Sequence, residues 1–215
     1  MPRPKVHDES LRAELIREAS RVVAHHGPGG LNLRSVAMAT GTSTSAIYSL
    51  FGSKTGLVAA VKRAAFDSFA KSQHAVPTTG SAIDDLVALG VAYRDWALSQ
   101  PNFYLVMFRN PEQVLGQETQ SAMLPLISCV QRLVDEEVFR APVMLIVAAL
   151  WATVHGFLTL ELEGFLQGFP DIEASFVAGI KAFAIGWSMS PQDHAVTLSE
   201  WLPPSLIRAR GTGVA

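Results

Sequence analysis

Residues 33–57, LRSVAMATGTSTSAIYSLFGSKTGL, hold two short helical patterns that meet at one glycine, Gly41. This pairing constrains the fold more than anything else in the chain. Arg34 and Ser35 open the first pattern, and Val36, Ala37 and Ala39 supply its small apolar face. Glycine reaches the left-handed backbone region without a Cβ penalty, so Gly41 fits a tight turn between helices. Thr42 or Ser43 can then cap the second helix by accepting an orphan N–H. Ile47 and Phe51 are four apart and share a face, which should lock the second helix onto the first and onto the helix before it. Thr44, Ser45, Tyr48 and Ser49 fall on the other side, with Lys54 close behind. A face of small polar residues can approach the major groove of a duplex closely. The layout is that of a helix-turn-helix.

Residue by residue, the segment resembles the DNA-binding domain of the tetracycline-repressor (TetR) family. The matching signature is Ala39-x-Gly41-x-Ser43, then Ile47-Tyr48, then Phe51-Gly52-Ser53-Lys54-x-x-Leu57. An upstream helix, Leu11-x-x-x-Leu15-Ile16-x-x-Ala19, and a turn over 27–31 fit the same family, so the likeness covers residues 10–57. The resemblance implies an all-α fold. It places a three-helix helix-turn-helix domain over 1–63 and a larger helical domain, binding a small molecule and forming a homodimer, over 64–190. Residues 191–215, with Pro191, Pro203, Pro204 and a Gly-rich end, read as a loose tail.

Charge is divided along the chain in the same sense. Through Arg63 there are nine Lys and Arg against four Asp and Glu, a net of +5; the remainder carries eight against fifteen, a net of −7. A basic first third suits phosphate contact, and an acidic remainder should stay off the duplex. With 49% hydrophobic and 17% charged residues, the chain is expected to be globular. The lone Cys129 excludes an internal disulfide and reads as a buried apolar residue, consistent with a cytoplasmic location. Met1 to Leu11 is polar and shows no signal peptide. Residues 141–160 carry no Asp, Glu, Lys or Arg and are long enough to span a bilayer, but Pro142, Thr153, His155, Gly156 and Thr159 favour a buried helix and no membrane partner.

The periodicity predicts helices over 10–26, 33–40, 44–51, 54–74, 81–99, 101–108, 114–139, 143–168 and 171–189, with Ser53 capping the fourth and Pro125 kinking or breaking the seventh. There is no strand alternation, internal repeat or low-complexity tract.

The expected duplex contacts are Arg34, Ser35, Thr44, Ser45, Tyr48, Ser49 and Lys54, with Arg3 and Lys5 in a short N-terminal arm suited to a minor groove. Lys54 at a helix start and the Tyr48 hydroxyl suit phosphates. Arg34 can reach backbone or a guanine edge. The second motif helix carries no Arg, Lys, Asn or Gln, so bidentate base readers are missing from it. Readout should lean on Arg34, methyl contacts from Thr44 or Ala46, and DNA shape.

In the implied effector domain, the residues expected to line a ligand site are Phe66, Tyr93, Trp96, Phe103, Tyr104, Met107, Phe108, Met123, Trp151 and His155, a set suited to a small apolar or aromatic molecule or to plain core. Trp151-x-x-x-His155-Gly156 resembles the Trp-His-Gly signature of one C-terminal subfamily. That histidine is either a core hydrogen-bonding group or an effector contact, and Gly156 lets another helix approach. Phe176, Ile180, Phe183 and Trp187 form one apolar face of the last helix and are expected at the dimer interface, with Ala178, Ala182 and Ile185 on a second, smaller face.

No metal-ligand cluster, phosphate loop, G-x-S-x-G or H-E-x-x-H occurs, so neither an enzyme nor a cofactor is expected. The expected function is a homodimeric regulator on a near-palindromic site in double-stranded DNA, a repressor released by a small-molecule effector. The alternative is a helical ligand-binding or scaffold protein without sequence-specific DNA binding.

Overall fold

The structure is a computed structural model that describes residues 5–108 and 117–188. Every regular element among them is a helix: α1 Lys5–His26, α2 Leu33–Ala39, α3 Thr44–Phe51, α4 Lys54–His74, α5 Ala82–Ser99, α6 Pro101–Phe108, α7 Gln117–Asp135, α8 Val143–Leu162 and α9 Ile172–Ser188. The all-α expectation holds.

Local chemistry sets the motif's boundaries. Asn32 caps α2, its Oδ1 accepting from the N–H of Arg34 at 2.9 Å and of Ser35 at 3.3 Å. Thr42 donates its N–H to Ala37 O at 2.8 Å while Gly41, at φ +63°, donates to Met38 O at 3.2 Å. This is the paired closure of a helix end through a left-handed residue. Ser43 then caps α3 through the Ala46 N–H, and Ser53 caps α4 through the Gly56 N–H.

The described residues fall into two packing units. The first runs through Pro77 and takes in Val91–Pro125; the second holds Thr78–Gly90 and the residues from Leu126 onward. The division falls inside α5 and, within α7, after Pro125. The helix is continuous through that proline, so the expected break is absent.

One core of the first unit joins Leu15, Ala19 and Val23 of α1, Val36 and Ala37 of α2, Ile47 of α3, Leu57 and Val61 of α4, and Val106 of α6. A second part, further along α4, is aromatic: Phe69 lies 4.9 Å from the rings of both Tyr93 and Trp96. Helix α6 serves both, since Val106 joins the first core while Tyr104 contacts Tyr93 and Phe108.

In the second unit α8 buries Ile146, Val147, Leu150, Val154 and Leu158, and α9 buries Phe176, Ile180 and Ala184. Gly90 admits Ile180 where a Cβ would stand. Asp85 is buried; it pairs with Arg132 at 2.6 Å and accepts from the Thr79 hydroxyl and N–H. Those hydrogen bonds, Thr79 first and Arg132 second, hold its carboxyl below the usual range.

Several boundaries differ from the sequence reading. Lys5 opens α1 and is not part of a free arm; Arg3 and residues 191–215 lie outside the described residues. Helix α8 ends at Leu162 and not 168, because Gly164 and Gly168 take φ of +80° and +97°. Helix α7 ends at Asp135 and not 139, where Glu137 turns to φ 57°.

Candidate nucleic-acid interface

The turn after α1 and the starts of α2, α3 and α4 meet around one concavity. Its walls are Gly29, Gly30, Leu31, Asn32, Leu33, Arg34, Thr44, Tyr48 and Lys54. Four of the expected contacts, Arg34, Thr44, Tyr48 and Lys54, therefore share one surface. Ser35, Ser45 and Ser49 are exposed, and Tyr48 keeps 53% of its surface open. No acidic residue stands in the first turn of α2, α3 or α4. The N-terminal ends of helices, a cation and a phenol hydroxyl together suit a phosphate oxygen.

Lys54 has a second partner that the sequence did not suggest. Its Nζ donates to Gly29 O at 3.1 Å, tying the start of α4 to the turn after α1. An ammonium has three donors, so the other two stay available. Arg12 of α1 was also missed; its guanidinium stands 4.9 Å over the Phe51 ring and holds the end of α3. Asn32 was legible in principle, as an Asn directly before a helical pattern. Gly56 matters too: a Cβ there would collide with the Phe51 carbonyl oxygen, so the first turn of α4 lies this close to the end of α3 because its third residue is glycine.

The expected ligand-lining residues separate. Phe66, Tyr93, Trp96, Tyr104 and Met107 are buried, and Phe103, Phe108 and Met123 half-buried, all in the first unit. Trp151 and His155 lie in the second unit, where their rings are 6.1 Å apart on α8. Burial lowers the His155 pKa, which favours the neutral ring. Phe69, the hub of the aromatic group, was not among the expected residues, although Phe66 and Phe69 share a face at spacing three.

The face of α9 expected at a partner chain is turned inward. Phe176 and Ile180 are buried inside the second unit, Phe176 against Phe157 at 5.2 Å, while Phe183 and Trp187 are half-buried and 5.7 Å apart. The smaller face is the open one: Ala178, Ala182 and Ile185 are exposed, Ile185 at 64%. On α8 the open side carries Met144, Leu145, Ala148, Ala152, Gly156 and Leu160. This helix is the one among the described residues long and apolar enough to cross a membrane, but its other side is core of the second unit.

Comparison with known proteins agrees with both halves. Residues 15–61 match the profile of bacterial regulatory proteins of the tetR family, and 86–183 match the tetracyclin repressor-like C-terminal domain. The HTH-type transcriptional regulator Mb1846 of Mycobacterium bovis is 26% identical over 106 residues, 48% of this chain and 45% of that protein, so the match spans under half the relative. Rv0681 of Mycobacterium tuberculosis, an HTH-type transcriptional regulator, is 24% identical over 181 residues, 81% of this chain and 80% of the other. The crystal structure of the TetR family transcriptional regulator PfmR from Thermus thermophilus shares the fold with a TM-score of 0.64 at 20% identity, over 79% of this chain and 96% of that one. The two profiles lie in the order the fold requires, one on α1–α4 and one across α5–α9, and the chain belongs to the TetR family.

Proposed function

We propose that this chain is a homodimeric DNA-binding transcription regulator, a cytoplasmic repressor that leaves its operator when a small apolar or aromatic ligand binds. The observation that carries the reading is the convergence of Arg34, Thr44, Tyr48 and Lys54 on one concavity beside α3. In this reading residues 1–63 hold the duplex: Tyr48 and Lys54 take phosphates, α3 lies in the major groove, and Ser35, Ser45 and Ser49 line its flanks. Direct base readout falls to Arg34, because α3 offers only short hydroxyls and methyls.

Residues 64–190 supply the effector site and the dimer. The aromatic group around Phe69 is the favoured ligand site. It touches α4 and α6, and both helices also pack into the helix-turn-helix core through Leu57, Val61 and Val106. A ligand that moved either helix would move α3 with it. The dimer uses the outward small-residue side of α8 and α9, with Ala148, Ala152 and Gly156 allowing close approach of a second copy. That replaces Phe176 and Ile180, which are occupied within the chain. Two copies present two recognition helices to a near-palindromic site, and affinity depends on both engaging together.

A mobility shift with duplex from the gene's own upstream region, repeated from 50 to 200 mM salt, tests the reading. Sequence-selective binding that weakens steeply with salt is expected. Selectivity absent at every salt concentration would refute it.

A further inference from the structure

Gln73 places an unpaired polar group in an otherwise apolar wall. It is 5% exposed, and its Nε2 has no hydrogen-bond partner among the described residues. Gln73 continues the buried side of α4 from Phe66 and Phe69, at steps of three and four residues. That side meets α5, since Phe69 contacts Tyr93 and Trp96. The adjacent His74 reaches the Ser121 carbonyl at 3.1 Å, which brings the first half of α7 against the last turn of α4. The indole N–H of Trp96 is already used, donating to Ser68 Oγ at 3.0 Å. A buried donor left without an acceptor costs stability, and natural cores leave few of them. What Gln73 lacks is an acceptor, and one helical turn before it on the same buried side stands Phe69, the centre of the aromatic group.

We propose that Gln73 is the polar anchor of the effector site, donating from Nε2 to one acceptor on an uncharged aromatic ligand, such as a ketone, ester or amide carbonyl. The inference rests on the reading of this aromatic group as the ligand site and names the chemistry that site selects. A charged ligand head is disfavoured there, because removing a charge from water without a paired counter-charge is expensive. A hydrocarbon of the same shape fills the wall but leaves Gln73 unpaired.

Calorimetry on the 215-residue protein with 2-acetylnaphthalene and 2-ethylnaphthalene, which differ by a carbonyl in place of a methylene, separates the possibilities. The wild-type protein is expected to bind the ketone about tenfold more tightly than the hydrocarbon. Gln73→Leu should erase that preference, leave the hydrocarbon's affinity unchanged or improved, and melt no lower than wild type without ligand. Gln73→Met repeats the comparison if the leucine variant does not fold. Equal affinity of wild type for both probes, or a preference that survives in the variants, overturns the role of Gln73 while leaving the site in place. Binding of neither probe to any of these proteins overturns the site itself, and the anchor with it.

Discussion

Lys54 stands between two roles that one substitution separates. It ties the start of α4 to Gly29 O at 3.1 Å, and it borders the concavity that should receive a phosphate. Lys54→Met keeps most of the stem and removes the charge. If the ammonium only staples the turn, the loss is one half-exposed hydrogen bond, about 0.5–1.5 kcal/mol, and melting falls by a few degrees. If it also neutralises a phosphate, each lost contact takes about 0.9 from the slope of log affinity against log salt. The proposed dimer would carry two copies, so the slope should fall by about 1.8. Over the fourfold rise from 50 to 200 mM, wild type then loses roughly twelvefold more affinity than the variant. Fluorescence anisotropy with a labelled upstream duplex at three salt concentrations measures the slope, and thermal melting measures the staple. A slope unchanged within about 0.3, with melting lowered, refutes the phosphate role and leaves Lys54 a structural residue.

The other expectations rest on separate contacts. Gly56→Ala pushes a methyl into the Phe51 carbonyl, so melting should fall and duplex binding should weaken more than the loss of stability accounts for, by anisotropy at 25 °C. Cys129 is buried and its thiol is pushed up to about 11, chiefly by burial, so it should resist a thiol reagent at pH 8 in the native protein and react on unfolding. Asp85 has its carboxyl held low in the folded state, so its contribution is complete above the unfolded value of about 3.9 and is lost as pH falls through the folded one. The melting gap between wild type and Asp85→Asn should therefore be constant near pH 6 and shrink below about pH 4. Ala152→Glu on the open side of α8 should give monomers by sedimentation while leaving helix content intact.

The motif was legible because its determinants are local. Gly41, Ser43 and Ser53 act on backbone groups a few residues away, and periods of three and four fixed Ile47 and Phe51 inward. Non-local packing was not legible. Phe176 and Ile180 formed the larger apolar face of α9, and nothing in the spacing says whether such a face meets its own chain or another. Only the position of Phe157 and Gly90 decides that. Val106 reads as one more apolar residue of a short helix, yet it completes the core beneath the recognition helix. Arg12 and Phe51 are 39 positions apart and meet only after α1 and α3 pack. The end of α8 was misplaced because residues 163–168 stay compatible with a helix until Gly164 and Gly168 turn to positive φ.

In the proposed regulator, two copies of the α2–α3 surface read one duplex together. Selection of binders from a pool of random-sequence duplexes tests this joint reading most directly. The expected product is an inverted repeat whose half-site centres lie about one helical turn apart, roughly 34–36 Å, or a multiple of that. Recovery of unbiased sequences, bound with equal affinity at every salt concentration, would contradict it.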